Sequence, residues 1–217
     1  MTKTLVSLAY SDANLIGLGA NLSEEELGDV QCLLNHAESF ADRSYNRHEL
    51  WKSWFDHVRN RMEKHGCTRL ATLEHPAQVI NDFADFDDQL APIGAGSTPA
   101  VLAALARDAL GELRGTQDAK RFLERGTEDG RSSTFLVTPC QKDEDGQIHL
   151  AVYAFRMNAS VEIRDFDFWS ETQREIVVWN IGTAYRFDPT RFANVREQLL
   201  LDLARWSCHS LTRIKLK

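Results

Sequence analysis

No stretch of this 217-residue chain reaches 18 uninterrupted apolar residues, so no transmembrane helix is expected. Positive charge is also short. Lys and Arg number 25 against 32 Asp and Glu, a formal net charge of −7. A general nucleic-acid binder needs a basic face to neutralise phosphates, and so does a protein held on anionic membranes by charge; both are excluded. Cysteine is sparse and scattered. Cys32, Cys67, Cys140 and Cys208 form no CxxC pair, which argues against a disulfide scaffold and for reduced thiols in the cytoplasm. The first twenty residues, MTKTLVSLAYSDANLIGLGA, carry one early lysine, but Asp12 and Asn14 break the apolar run. A signal peptide is therefore not expected, and a signal-less secretion route stays open.

Several motifs are missing too. There is no GK[ST] phosphate loop, no GxSxG nucleophile elbow and no EF-hand ligand pattern. The alternating strand–helix pattern of dinucleotide-binding folds is absent. Neither a cofactor nor a metal is expected.

What is present divides into two periods. Up to about residue 126 the apolar residues recur at helical spacing. From about 132 to 188 they alternate with the period of a strand. "LSEEEL" opens the first clear helix, with Ser23 and Glu26 spaced as a capping box and Leu27, Val30, Leu34, Ala37 and Ala41 following on one face. A second helix covers about 46–65 and stops at Gly66. A third is expected from Pro76 to about Asp88. "LAPIGAGSTP" reads as a loop, and its "GAGST" resembles a phosphate loop only superficially. Thr98 and Pro99 then begin an alanine- and leucine-rich helix to about Arg114, with a shorter one over 117–125.

In the second half "STFLVTPC" reads as a strand and "DEDGQ" as a hairpin turn at Asp145-Gly146. The strand that follows, "GQIHLAVYAFRMNASVEIRDF", is apolar on both faces at first. His149, Ala151, Tyr153, Phe155 and Met157 share one face. The other turns from Leu150, Val152 and Ala154 to Arg156 and Asn158, so it becomes wet. Its expected partner is "REIVVWNIGTAYRFD", with Gly182 at a bend or bulge; "DFDFW" also shifts parity as a bulge would. Asp188-Pro189 starts a helix to about Ser207, and "LTRIKL" could add a last strand.

The fold class expected is α+β: an N-terminal helical half, then an antiparallel β-meander with a long bent hairpin, packed against a C-terminal helix. One domain over 1–217 is expected, with a helical lobe of about 1–126 and a sheet lobe of about 132–217.

The functional expectation is a non-enzymatic binding protein. It would use a concave sheet face or the acidic helical face of Asp82, Asp85, Asp87 and Asp88 to hold a protein or an apolar ligand. Tyr153, Phe155, Met157, Trp179, Arg156 and Asn158 are the candidate contacts. Adaptors, chaperones, toxin-neutralising proteins and effectors share this profile. The alternative is a small cysteine hydrolase, in which Cys67 is the nucleophile and His149 the base, with Asn158 or Asp165 as orienting groups. It requires thiol and imidazole to come within reach of one another. A second alternative is a lipid- or acyl-chain-binding protein S-acylated at Cys208, with a cavity along the Tyr153–Ile163 face. Cys32 and His36, with His57 or His65, have usable metal spacing, but no second close pair completes the set.

Overall fold

The structure is a computed structural model and describes residues 5–10, 14–19, 21–80, 83–114, 131–159 and 176–215. The fold is α+β. Its six strands are β1 (Leu5–Tyr10), β2 (Asn14–Gly19), β3 (Cys67–Ile80), β4 (Ser132–Lys142), β5 (Ile148–Ala159) and β6 (Ile176–Phe187). Its helices are α1 (Glu24–Asp42), α2 (Trp51–Lys64), α3 (Phe83–Asp87), α4 (Ser97–Arg114), α5 (Pro189–Ala193) and α6 (Arg196–Lys215).

The chain forms two compact units, each drawing on both ends of the sequence. One comprises Met1–Leu22 and Arg69–Arg186 and carries the sheet; the other comprises Ser23–Thr68 and Phe187–Lys217 and is helical.

In the sheet unit the strand order is β1-β2-β4-β5-β6-β3. β1–β2 and β4–β5 are antiparallel, and β2–β4 is parallel. The β4–β5 turn forms where Asp145-Gly146 predicts it. Gly146 takes φ 76, a left-handed value that suits glycine, and the Asp143 and Gln147 backbones close the turn. β5 is buried through Phe155 except for a half-buried His149; Arg156 is then half-buried and Asn158 exposed. The parity change read from the sequence is therefore real.

The core of this unit lies between one sheet face and α3–α4. Register places Phe135 opposite Phe155 and Val137 opposite Tyr153. Directly opposed residues share a face. Phe155 meets Phe86 of α3 at 4.9 Å and Phe135 at 5.3 Å between ring centroids. Across from them α4 buries Leu102, Leu105, Ala106, Ala109, Leu110 and Leu113, a stripe at helical spacing.

Three strands were not legible. β1 and β2 are short, and their sequence mixes small and apolar residues without a clean period. β3 replaces the start of the helix expected from Pro76: the chain stays extended to Ile80, and only Phe83–Asp87 is helical. β3 is the last strand of the order, largely exposed along its length. There Pro76 can lack an N–H without breaking a central ladder. Gly182 of β6 is a place of close approach. A Cβ there would lie 2.5 Å from Ile93 Cδ1.

In the helical unit the expected capping signals hold. Ser23 and Glu26 form the capping box of α1, and Asp188 caps α5 with Pro189 at its first turn. Gly66 follows α2 at φ 111. The single helix expected over 189–207 is divided into α5 and α6, and α6 continues to Lys215 where a strand was considered. The stretches 117–125 and 165–169 fall outside the described residues.

Phe155→Ala removes the centre of the aromatic cluster. It should lower the unfolding free energy by about 3–5 kcal/mol, read from denaturant midpoints at constant slope.

Candidate functional site

A pocket of about 390 Å³ opens in the sheet unit, beside the N-terminal end of α4. Five pieces of chain make it. β3 gives Leu70 and Ala71, β6 gives Ala184 and Tyr185, α4 gives Leu102, and β5 gives His149. The loop before α4 closes one wall from Ile93 to Gly96, and Ser97, Thr98 and Pro99 of the first turn of α4 continue it. This loop is the "LAPIGAGSTP" stretch, whose role is now visible. Gly94 and Gly96 take φ 102 and 108, values that L side chains rarely adopt. A Cβ on Gly94 would also meet the Ala71 Cβ at 3.2 Å, so glycine lets loop and strand close on one another.

The loop is anchored from below. The Tyr153 hydroxyl donates to the Ala91 carbonyl at 2.9 Å, and burial pushes its phenol pKa up. The Asn180 amide donates to the Gln89 carbonyl, and Arg107 of α4 donates to the Leu90 carbonyl at 3.0 Å. Ile93 is 1% exposed. Leu70, by contrast, is 53% exposed on the pocket's β3 wall.

His149 brings the polar contact. Its Nε2 lies 2.8 Å from Asp143 Oδ2. Asp143 Oδ1 accepts from the Gln147 backbone N–H at 2.8 Å. That amide, and then the imidazole, hold the Asp143 carboxyl below its usual range. The hairpin makes this contact: Gln141 is opposite His149, and the turn brings Asp143 back over the ring. Read from sequence, Asp143 is part of a turn and nothing more. The signal that could have found it is the six-residue spacing of a carboxylate and a histidine across a short hairpin turn.

The other sequence candidates are dispersed. Cys67 is 2% exposed and belongs to the helical unit, whereas His149 belongs to the sheet unit. Tyr153, Phe155 and Met157 are fully buried core side chains, packed with the α3–α4 residues. Trp179 is half-buried on β6. Arg156 donates to Thr134 Oγ1 at 3.0 Å across the β4–β5 pair, and Asn158 is exposed beyond it. Asp165, Val161 and Ile163 fall outside the described residues, as does the side chain of Cys208, whose backbone lies in α6. Cys32, Cys67 and Cys140 are buried thiols, none in a disulfide. Cys32 and His36 are both buried on α1, while His57 packs between Phe40 and Tyr45. Among the described residues no three ligating side chains converge as a metal site. Asp85 and Asp87 are half-buried and Asp88 is exposed; Asp82 falls outside the described residues.

No protein-family model matches this chain, and no curated protein matches it. Among solved structures it is similar to a delta-endotoxin at 12% identity and a TM-score of 0.48, over 84% of this chain and 86% of that one. It is also similar to the activated Cyt2Ba monomer from Bacillus thuringiensis subsp. israelensis at 9% identity and a TM-score of 0.47, over 81% and 97%. A third likeness is to the Evf virulence factor at 10% identity and a TM-score of 0.39, over 91% and 82%.

A carboxylate facing Nε2 fixes the neutral ring with its proton on that atom. Asp143→Asn keeps the Gln147 contact but presents an N–H₂ to the ring. It should move the His149 proton to Nδ1, visible as an exchange of the two ring ¹⁵N shifts at neutral pH.

Proposed function

We propose that this chain is a non-enzymatic binding protein whose sheet unit holds a small ligand with an apolar body in the pocket beside α4. The carrying observation is the lining. Apolar side chains from four separate elements converge there, and Leu70 remains half-open to solvent on the wall. The volume of about 390 Å³ lies within the range of small-molecule sites, about 300–1,000 Å³. Covering the exposed part of one leucine is favourable by roughly 1 kcal/mol. His149 at the edge supplies one oriented hydrogen-bonding group, the ordinary way such a pocket reads one polar atom of its ligand.

One feature counts against hydrolysis. A base must reach its nucleophile directly or through one water, and the pocket that His149 lines carries no thiol. An acyl chain laid along the Tyr153 face is disfavoured, because its described part is filled by protein side chains.

The test is titration of the full chain with 1-anilinonaphthalene-8-sulfonate, followed by displacement with neutral apolar compounds. Binding should be saturable at one site. Leu70→Glu, on an exposed side chain, should weaken it about tenfold while leaving the thermal midpoint within a few degrees. Equal affinity in Leu70→Glu and in the pocket-filling Ala71→Trp would overturn the reading.

A further inference from the structure

The helical unit buries two histidines against each other. His36 lies on α1 and is 2% exposed; His65 caps the C-terminal end of α2 and is 8% exposed. Their rings meet edge to face, 5.4 Å apart at 88°. Trp206 of α6 lies over the His36 ring at 5.0 Å. The arrangement is pinned. The His65 N–H bonds to the Arg61 and Met62 carbonyls, and the next residue, Gly66, accepts from the Asp188 N–H at 3.0 Å. A Cβ on Gly66 would press within 3.2 Å of the Asp188 carbonyl oxygen, so the exit from α2 has little freedom.

The surroundings suit neutral rings and oppose charged ones. Among the described residues, His36 Nδ1 and both nitrogens of His65 find no hydrogen-bond partner. Arg61 and Lys64 of α2 face both rings, and Arg191 of α5 faces His65. The carboxylate of α6 that faces them is Asp202, 3.8 Å from His36 Nε2. It is shared: Gln198 donates to it at 2.9 Å and Arg205 approaches at 3.9 Å. Asp29 and Glu25 of α1 are engaged by Arg196. Cys32, one turn before His36, has its thiol pushed up chiefly by burial, so it stays neutral and offers no counter-charge. Arg43 adds a further cation over Trp206, 5.3 Å from the ring centroid.

We infer that the His36–His65 pair is an acid-sensitive latch, in which proton uptake by the two imidazoles opens the packing of α6 against α1. Burial, and then neighbouring charge, lowers both histidines, His65 to about 4 from the ordinary 6.5. The direction of the effect follows. An exposed histidine titrates near 6.5, so the closed form keeps its full advantage above that pH. Between about 6.5 and about 4 the open form binds a proton that His65 in the closed form refuses, and on its account the closed-to-open ratio falls by up to tenfold per pH unit. His36 is lowered by the same causes and adds to the fall in the same direction. Below about 4 His65 is charged in both forms and its share of the effect is constant.

Hydrogen exchange of the full chain, followed by mass spectrometry from pH 7.5 to 4.5 with exchange times scaled to the intrinsic rate, tests the latch. Protection of α1 and α6 should fall at least tenfold between pH 6.5 and 5, while the β4–β5 hairpin keeps its own. His65→Leu should move the fall to lower pH. Two partly exposed positions separate charge from packing. Lys64→Ala relieves repulsion and should lower the opening pH, and Asp202→Asn removes the counter-charge and should raise it. The latch is overturned if α1 and α6 stay protected to pH 4.5. Simultaneous loss in the hairpin, or an opening pH unmoved by Lys64→Ala and Asp202→Asn, overturns it as well.

Discussion

The packing of the α4 stripe onto the β4–β5 face is the contact on which the sheet unit depends. Leu102, Leu105, Ala106, Ala109, Leu110 and Leu113 meet a face made of Phe135, Val137, Tyr153, Phe155 and Met157. Interiors pack to the density of organic crystals, so the positions of the elements around this contact are not independent. Tyr153 shows the linkage. Its ring is core, but its hydroxyl fixes the Ala91 carbonyl and hence the loop that enters α4. Gly182 shows it from the opposite side, because Ile93 of that loop lies where a β6 side chain would be. Loop, helix and two strands are set by the same few contacts.

The pocket is where this packing ends. Toward Leu113 the stripe is closed, with side chains filling the space over the sheet. Toward Leu102 the loop's left-handed glycines turn the chain away, and Leu70 is left half-uncovered. An apolar opening is thus a consequence of how α4 begins, and no separate binding element is needed to produce it. That rigidity bears on the proposed function: walls held by a buried tyrosine bond and a close glycine contact would lose little conformational freedom to a ligand.

Much of the architecture was legible because it rests on local chemistry. The capping box at Ser23–Glu26, the Asp188-Pro189 helix start and the Asp145-Gly146 turn each depend on residues within four positions. The β5 face change at Arg156 was legible because strand parity is strict. What was hidden depends on neighbours distant in sequence. β3 reads as a helix start from Pro76 because a strand at the sheet's end carries no two-sided apolar signature, and Pro is a helix N-terminal signal as well as a residue tolerated at edges. The division of the chain into units is hidden for the same reason, since each unit joins segments from both ends of the sequence. Of the site, the glycine-rich loop and His149 stood out in the sequence, but their common location did not. Apolar parity identified Tyr153, Phe155 and Met157 as a face, and that face is the one the helices cover. Apolar alternation locates buried surface and cannot tell a core from a cavity lining.

The histidines carry the same lesson into chemistry. His149 and His65 have the same side chain and opposite surroundings. His149 stands at a pocket edge with Asp143 2.8 Å from one nitrogen, an arrangement that directs a hydrogen bond. His65 faces another imidazole and three cations, with neither nitrogen partnered among the described residues. A charge without a partner in such a place is costly, so the group gives up its proton instead. Sequence spacing singled out Cys32 and His36 as metal ligands because residues four apart share a helix face. The shared face instead turns His36 inward toward His65, and a pair that looks like two ligands of an incomplete site becomes a titrating contact between helices. What each histidine does is decided by the charges around it: for His149 the carboxylate of its own hairpin, for His65 the cations of α2 and α5, and for His36 those of α2 with the carboxylate of α6.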